Sequence, residues 1–261
     1  MRVIDLSLPV MQNDSEPIKV SIVKTGYKEG AEKMCEESAK LILKPRHILT
    51  PEAFPESMFI SNEQVCMGTH SGTHVDAPAH FGPVCEGEEA RTIDQCPLDW
   101  FFGKGLVLHF KGKLPNEEVT KQEVIDRLAH LKYSLRPGDI LLLNTGTYQK
   151  WGSKAYFSEA PGVSVEATEY ILDQGVKLIG TDTYGYDHPF PVMLKGFAQT
   201  GDTKKLWPNH MLGRRREYVH MERLTNLDAL DPPSGFWFFG FPIKMKGADA
   251  SWIRAVAIYP E

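Results

Sequence analysis

Asp139-Ile140-Leu141-Leu142-Leu143-Asn144 is the stretch on which the fold turns. Four aliphatic residues in an unbroken run, entered from Pro137-Gly138 and closed by a polar Asn, suit a strand covered on both faces. Such strands belong to sheets with helices packed against them, so the neighbouring segments should be helical. Upstream, Thr120-Lys121-Gln122-Glu123 has the form of a capping box, in which the hydroxyl accepts from the third backbone N–H and the Glu reaches back. Val124, Ile125, Leu128 and Leu131 then recur at helical spacing. Downstream, Ser164 caps a helix running to Gln174, and Gly175 supplies a left-handed stop. Val176 to Gly180 reads as a second buried strand.

Further outward, strands dominate. Val3 to Leu8, Gly105 to Phe110, Phe236 to Phe241 and Ala255 to Tyr259 all read as strands. The order strand, helix, strand, helix, strand, flanked by strands at both ends, predicts an α/β fold. It would be a single domain over 1–261, with a mixed sheet or partly closed barrel and flanking helices. Gln12 to Ser57 resists assignment. It is polar, with prolines at 17, 45, 51 and 55, and reads as long loops or a flap.

Composition narrows the function. The 261 residues are 42% hydrophobic and 24% charged, which is ordinary globular usage and argues against disorder. A net charge of -5 gives no basic footprint for nucleic acid. Arg214-Arg215-Arg216 is the only concentrated positive run, and it reads as a solvated or substrate-facing corner. No apolar run reaches the roughly 20 residues that span a bilayer. Asp5 and Pro9 interrupt any signal-like start, so a cytoplasmic protein is expected. Cys35, Cys66, Cys85 and Cys96 show no C-x-x-C spacing and read as free thiols. Cys66 is near enough to His70 in sequence to line a site but is not counted as a ligand.

The chemistry concentrates in His70-Ser71-Gly72-Thr73-His74-Val75-Asp76-Ala77-Pro78-Ala79-His80-Phe81. One histidine in such a place is ordinarily a surface or core residue. Three histidines and an aspartate between positions 70 and 80, broken by Gly and Pro, are better explained as metal ligands. Gly72 and Pro78 oppose a helix. In a short extended segment His74 and Asp76 share a side, His70 folds back across Gly72, and His80 follows the Ala77-Pro78 turn. Imidazole and carboxylate donors without thiolate suit zinc, manganese or ferrous iron. Downstream, Val219 to Leu224 alternates like a strand, so His220 and Glu222 share a face. His210 lies nearby, and His220 reads as a surface or supporting histidine. Asp182, Tyr184, Tyr186, Asp187 and His188 follow the strand Val176 to Gly180, at the carboxyl end where α/β sheets often place ligands.

The segment His70 to Phe81 resembles the His-x-Gly-Thr-His-x-Asp-x-Pro-x-His-Phe signature of the metal-dependent cyclase family, which includes bacterial kynurenine formamidase and isatin hydrolase. The resemblance extends to Ile4-Asp5-Leu6-Ser7, to Asp139–Gly146, to Gly180-Thr181-Asp182-Thr183, to His210 and Glu222, and to the closing stretch from Gly240 to Ile258. It implies an α/β fold with a β-barrel-like core and a homodimer or homotetramer. It implies His70, His74 and Asp76 on a first divalent ion, Zn2+ or Mn2+. Asp76 would bridge to a second ion held with His210 and Glu222, so one or two ions per chain, and His80 would be the general acid/base.

The implied activity is hydrolysis of a small-molecule amide, formamide, lactam or lactone by metal-activated water. The alternatives are a metal-dependent cyclase or lyase in secondary metabolism and a non-catalytic small-molecule binding protein of the same fold. Thr25 to Ser57, Asp182 to Pro191 and Trp207 to Arg214 depart from a kynurenine formamidase, which argues against N-formylkynurenine as substrate. Phe59, Trp100, Tyr184, Tyr186 and Trp207 suggest an aromatic or flat substrate, with Phe59, Tyr184, Tyr186 and Trp207 as candidate contacts.

Overall fold

A computed structural model describes residues 1–42 and 47–260. It divides them into two compact units, one of Met1–Pro17 with Thr69–Glu261 and one of Ile18–Gly68.

The larger unit carries a nine-stranded mixed sheet. Its strands are β1 (Arg2–Asp5), β2 (His74–Asp76), β3 (Phe102–His109), β4 (Ile140–Asn144), β5 (Leu178–Thr181), β6 (Val219–Glu222), β7 (Ser234–Phe239), β8 (Ala250–Trp252) and β9 (Val256–Tyr259). Their spatial order is β1-β9-β7-β3-β4-β5-β6-β2-β8. β3, β4, β5 and β6 run parallel, and the flanking pairs are antiparallel.

This order forces the sheet to curl. β9 is second in the sheet and β8 is last, so a flat sheet would separate them by seven spacings of about 4.8 Å, about 34 Å in all. The chain from Trp252 to Val256 reaches at most about 14 Å. The sheet must therefore curl back on itself, and an isolated bridge joins its first margin to its far half. Ser7, just past β1, pairs with Leu224, just past β6, and Thr225 N donates to Leu6 O at 2.9 Å.

The central run behaves as its sequence demands. All five residues of β4 are buried. Ile140 and Leu142 enter one core with Val107, Leu178, Val219 and Met221. Leu141 and Leu143 enter the opposite core with Leu106, Leu108 and Ile179. That second core lies beneath the crossover helices α2 (Lys121–His130) and α3 (Val165–Asp173), which contribute Val124, Leu128, Ala167 and Ile171. The Thr120 capping box forms in both directions, and Ser164 Oγ accepts from Ala167 N at 3.1 Å. Gly175 takes φ +86° where the helix stops.

In the smaller unit, strands Ser21–Thr25 and Asn62–Cys66 pair antiparallel. Between them lies a 15-residue helix, Tyr27–Leu41. This corrects the expectation of long loops or a flap over Gln12 to Ser57. The helix escaped notice because it buries only Gly30 and Ala31 and so has no apolar stripe. Pairs such as Glu29–Lys33, 2.9 Å apart, decorate its surface instead. Pro45, one of the four prolines behind that expectation, lies outside the described residues. All four cysteines are free. Among the described residues no helix is long and apolar enough to cross a membrane.

Candidate metal centre

β2 is the hub of the site. Its register sets His220 of β6 opposite Asp76 and Glu222 opposite His74 on one side, and Ala250 of β8 opposite Asp76 on the other. Pairing alone thus unites positions 74–76 with positions 220–222. α1 (Pro78–Phe81) begins immediately after β2, with Pro78 at its first turn, where a missing N–H costs nothing, and it carries His80. α5 (Pro208–Leu212), which follows α4 (Phe190–Thr200), delivers His210. Gly72 turns the chain between His70 and His74 with φ +66°, a conformation that a side chain would strain.

The side chains converge on Asp76, which is 1% exposed. His70 Nδ1 lies 2.8 Å from Asp76 Oδ1, and His74 Nε2 lies 3.3 Å from the same oxygen. His220 Nε2 lies 2.9 Å from Asp76 Oδ2 and 3.3 Å from Glu222 Oε1. His80 Nε2 and His210 Nε2 stand 3.9 and 4.0 Å from Asp76 Oδ2. Two sets of ligand atoms fall within 4.8 Å of one another: Asp76, His210, His220 and Glu222, and His70, Asp76 and His80. All the expected ligand residues and His80 therefore gather in one place. His220 joins them fully buried, which rules out the surface half of its reading as a surface or supporting histidine. Its signal was present in the alternation of Val219 to Leu224, but the identity of the strand across from it was not.

Several buried atoms here lack hydrogen-bond partners. His74 Nε2, Asp76 Oδ1 and His220 Nδ1 are all enclosed and make no hydrogen bond of regular geometry, although His70 Nδ1 and His74 Nε2 crowd Asp76 Oδ1 at 2.8 and 3.3 Å. Orphaned buried polar atoms are costly and require an explanation. A divalent cation shared by imidazole nitrogens and carboxylate oxygens satisfies His74 Nε2 and Asp76 Oδ1, and the donor set fits zinc or manganese. His220 turns Nε2, not Nδ1, toward that cluster.

The electrostatics show the same strain without a cation. Burial works to raise the Asp76 carboxyl, yet contacts from His220, His70 and His74 hold it well below the usual range. Burial pulls His70 down, but Asp76 and Asp249 outweigh it and push the ring up to about 9. His220, likewise opposed by burial, is pushed up to about 10 by Asp76 and Glu222. His80 moves the other way. Burial lowers it, and His70 and His210 add to that effect against the pull of Asp76.

Supporting contacts come from the loop after β5. Tyr186 N donates to Glu222 Oε1 at 2.8 Å, and the Tyr186 ring stacks on His220 at 4.9 Å with 12° between planes. Tyr186 is fully buried, so it holds Glu222 and His220 in place and presents no face to a substrate. Asp187 Oδ2 accepts from His210 Nδ1 at 2.7 Å, leaving Nε2 for the centre. His188 turns away to Glu118 Oε1 and Pro115 O. Tyr184 is half-buried, with the Arg223 guanidinium 3.8 Å above its ring. Trp207 packs on Phe190 at 5.3 Å, and Phe59 belongs to the smaller unit, where it packs on Phe54. Trp100 is a packing residue beside Arg91 and Lys177. Arg214 Nε donates to Phe81 O at 2.5 Å and Arg216 pairs with Asp173, so two members of the arginine run are tied to the protein itself.

A family model described as putative cyclase matches residues 4–188. The chain belongs to that family. Among its relatives, the kynurenine formamidase of Paracidovorax citrulli (strain AAC00-1) is 30% identical over 196 residues, 75% of this chain and 79% of that one. An isatin hydrolase bound to the product analogue thioisatinate has a TM-score of 0.71 at 22% identity, covering 99% of this chain and 92% of its own. A crystal structure of a cyclase has a TM-score of 0.73 at 17% identity, covering 98% of this chain and 88% of its own. These structural likenesses establish the fold, a mixed α/β arrangement, and its curled sheet agrees with the mixed sheet or partly closed barrel that the sequence predicted.

Proposed function

We propose that this protein is a divalent-metal-dependent hydrolase of a small-molecule amide C–N bond, linear or cyclic. The observation that carries the reading is the buried donor set of His74 and Asp76 facing Glu222, with His80 at its more open edge. The kinship with a formamidase and the shared fold of an isatin hydrolase support amide hydrolysis as the reaction.

His70, His74 and Asp76 would hold one ion, and Asp76, His210 and Glu222 a second. His220 Nε2 adjoins the second set and is a further candidate ligand there. Charge favours two ions, because Asp76, Glu222 and Asp187 are buried anions and Asp249 adds a fourth carboxylate nearby. A bound divalent ion supplies Lewis acidity, which brings the pKa of water toward neutrality and polarises an acyl oxygen. The protein's own part is acid/base and orientation. His80 is held below its ordinary pKa, so it stands neutral at pH 7 with Nε2 turned toward Asp76, ready to take a proton from the attacking water. The same nitrogen then returns that proton to the leaving amine. Half-buried Tyr184 and Trp207 are proposed to frame an aromatic substrate. The ligand set serves zinc and manganese equally, and lactones remain within the reach of the same chemistry. A homodimer or homotetramer in the cytoplasm is proposed on the family resemblance.

The test is His80→Ala assayed against arylformamides, lactams and lactones, with metal content measured in parallel. Turnover should fall about 10²–10⁴-fold with metal retained. Unchanged turnover would remove His80 from the mechanism. The family's cyclase description favours one second reading, a cyclisation or lyase step without net hydrolysis. Oxygen-18 from solvent enters the product of a hydrolase and is missing from the product of such a cyclase.

A further inference from the structure

Asp249 has no role in the signature that marks the site, yet it touches both His70 and His80 at the site's open edge. Its backbone is fixed by the sheet, since Ala77 N donates to Asp249 O at 2.9 Å and the next residue, Ala250, pairs with Asp76. Its side chain is fixed from both ends. Thr69 Oγ1 donates to Oδ1 at 3.2 Å, which turns Oδ2 toward the histidines. That one oxygen lies 3.2 Å from His70 Nε2 and 3.3 Å from His80 Nδ1.

A carboxylate only accepts, so each ring must place a proton on the nitrogen facing it. The consequence differs between the two rings. His70 faces carboxylates on both sides: it keeps its proton on Nε2 toward Asp249, while Nδ1, 2.8 Å from Asp76 Oδ1, would give up its own proton to a bound ion and become the ligand atom. His80 carries its proton on Nδ1 and offers Nε2, 3.9 Å from Asp76 Oδ2. We infer that Asp249 is a positioning residue that sets opposite tautomers on His70 and His80, so that one ring offers Nδ1 as a ligand and the other offers Nε2 as a base. The inference rests on the metal-site reading above but not on the identity of the substrate. His74 and His210 serve as internal references, because Gly72 O and Asp187 set their tautomers independently.

Long-range ¹H–¹⁵N spectra of protein labelled at histidine nitrogen read ring protonation directly, for His80 in the metal-free and zinc-loaded forms and for His70 in the zinc-loaded form. Wild type should show His80 protonated on Nδ1. Asp249→Ala should move that proton to Nε2 and lower zinc affinity about 10–100-fold, leaving His74 and His210 unchanged. Asp249→Asn keeps an accepting amide oxygen, so it should return His80 to the Nδ1–H form. The side chain is 47% exposed and the backbone bonds persist, so both variants retain the strand pairing that thermal melts can check. An unchanged His80 tautomer in Asp249→Ala overturns the inference. A loss of zinc affinity beyond about a thousandfold does so too, since that would make Asp249 a ligand. Failure of every amide substrate would sink the hydrolase reading but leave the tautomer result standing.

Discussion

Replacing Glu16 by Ala should unfold this protein at markedly lower temperature, because it strands a buried cation. Arg223 is 3% exposed, and its Nη1 lies 2.6 Å from Glu16 Oε2. At an effective dielectric of about 20, two charges about 4 Å apart attract by about 4 kcal/mol. Removing one partner of such a pair costs about 3–5 kcal/mol, because the other stays buried and uncompensated. Arg223 keeps its Nε bond to Tyr184 O and its place over the Tyr184 ring, which argues for the lower half of that range. With about 2–4 °C per kcal/mol for a chain of this size, the melting temperature should fall by about 6–15 °C. The effect should reach the metal. Glu16 Oε2 also accepts from Gly72 N at 3.3 Å, and Arg223 adjoins Glu222, so the pair ties the His70–His74 turn to the opposite ligand strand. The assay is a double-mutant cycle of Glu16→Ala, Arg223→Ala and the double variant, each melted with and without zinc. The double variant should cost less than the sum of the singles by at least about 2 kcal/mol. Additivity within about 0.5 kcal/mol would refute the reasoning, since independent sites add to that accuracy.

Zinc at about 100 times its dissociation constant should stabilise the protein by about 2.7 kcal/mol, with a chelator reversing the rise in melting temperature. His70, pushed up to about 9 in the metal-free protein, must lose its proton to become a ligand, so calorimetry at pH 7 in buffers of different ionisation enthalpy should show proton release, with affinity weakening as pH falls. Thr120→Ala removes the cap of α2 and should cost about 1 kcal/mol, read as a lower urea midpoint. Asp228 is opposed by burial but held down to about 2 by Lys111, Asn144 and Tyr148. Its contribution to stability is therefore full above its ordinary value of 3.8 and lost as pH falls through about 2, and Asp228→Asn should flatten that acid limb of the stability curve.

Much of this protein is written locally. β4 and its two crossover helices were legible because burial on two faces, a capping box and a glycine stop are properties of a few adjacent residues. The cluster from His70 to His80 was legible for the same reason, with Gly72 and Pro78 marking a turn and a short strand. The helix Tyr27–Leu41 was illegible because it buries almost nothing, and periodicity is a signal of burial. Tertiary structure decided the rest. Whether His220 faced solvent or Asp76 depended on which strand lay beside β6, and that partner is some 140 residues away in the chain. Tyr186 looked like a substrate contact and proved to be a wall behind His220. Asp187 stood in a visible polar cluster, but its bond to His210 required α5 to fold back across it. Asp249, a lone acid in a Gly-Ala-Asp turn, carried no sequence signal. It entered the site because β8 pairs with β2. Residue types and spacing determined which chemistry this chain can hold, because ligand donors are local. Strand register determined which donors meet, because pairing between distant segments is set by the whole sheet.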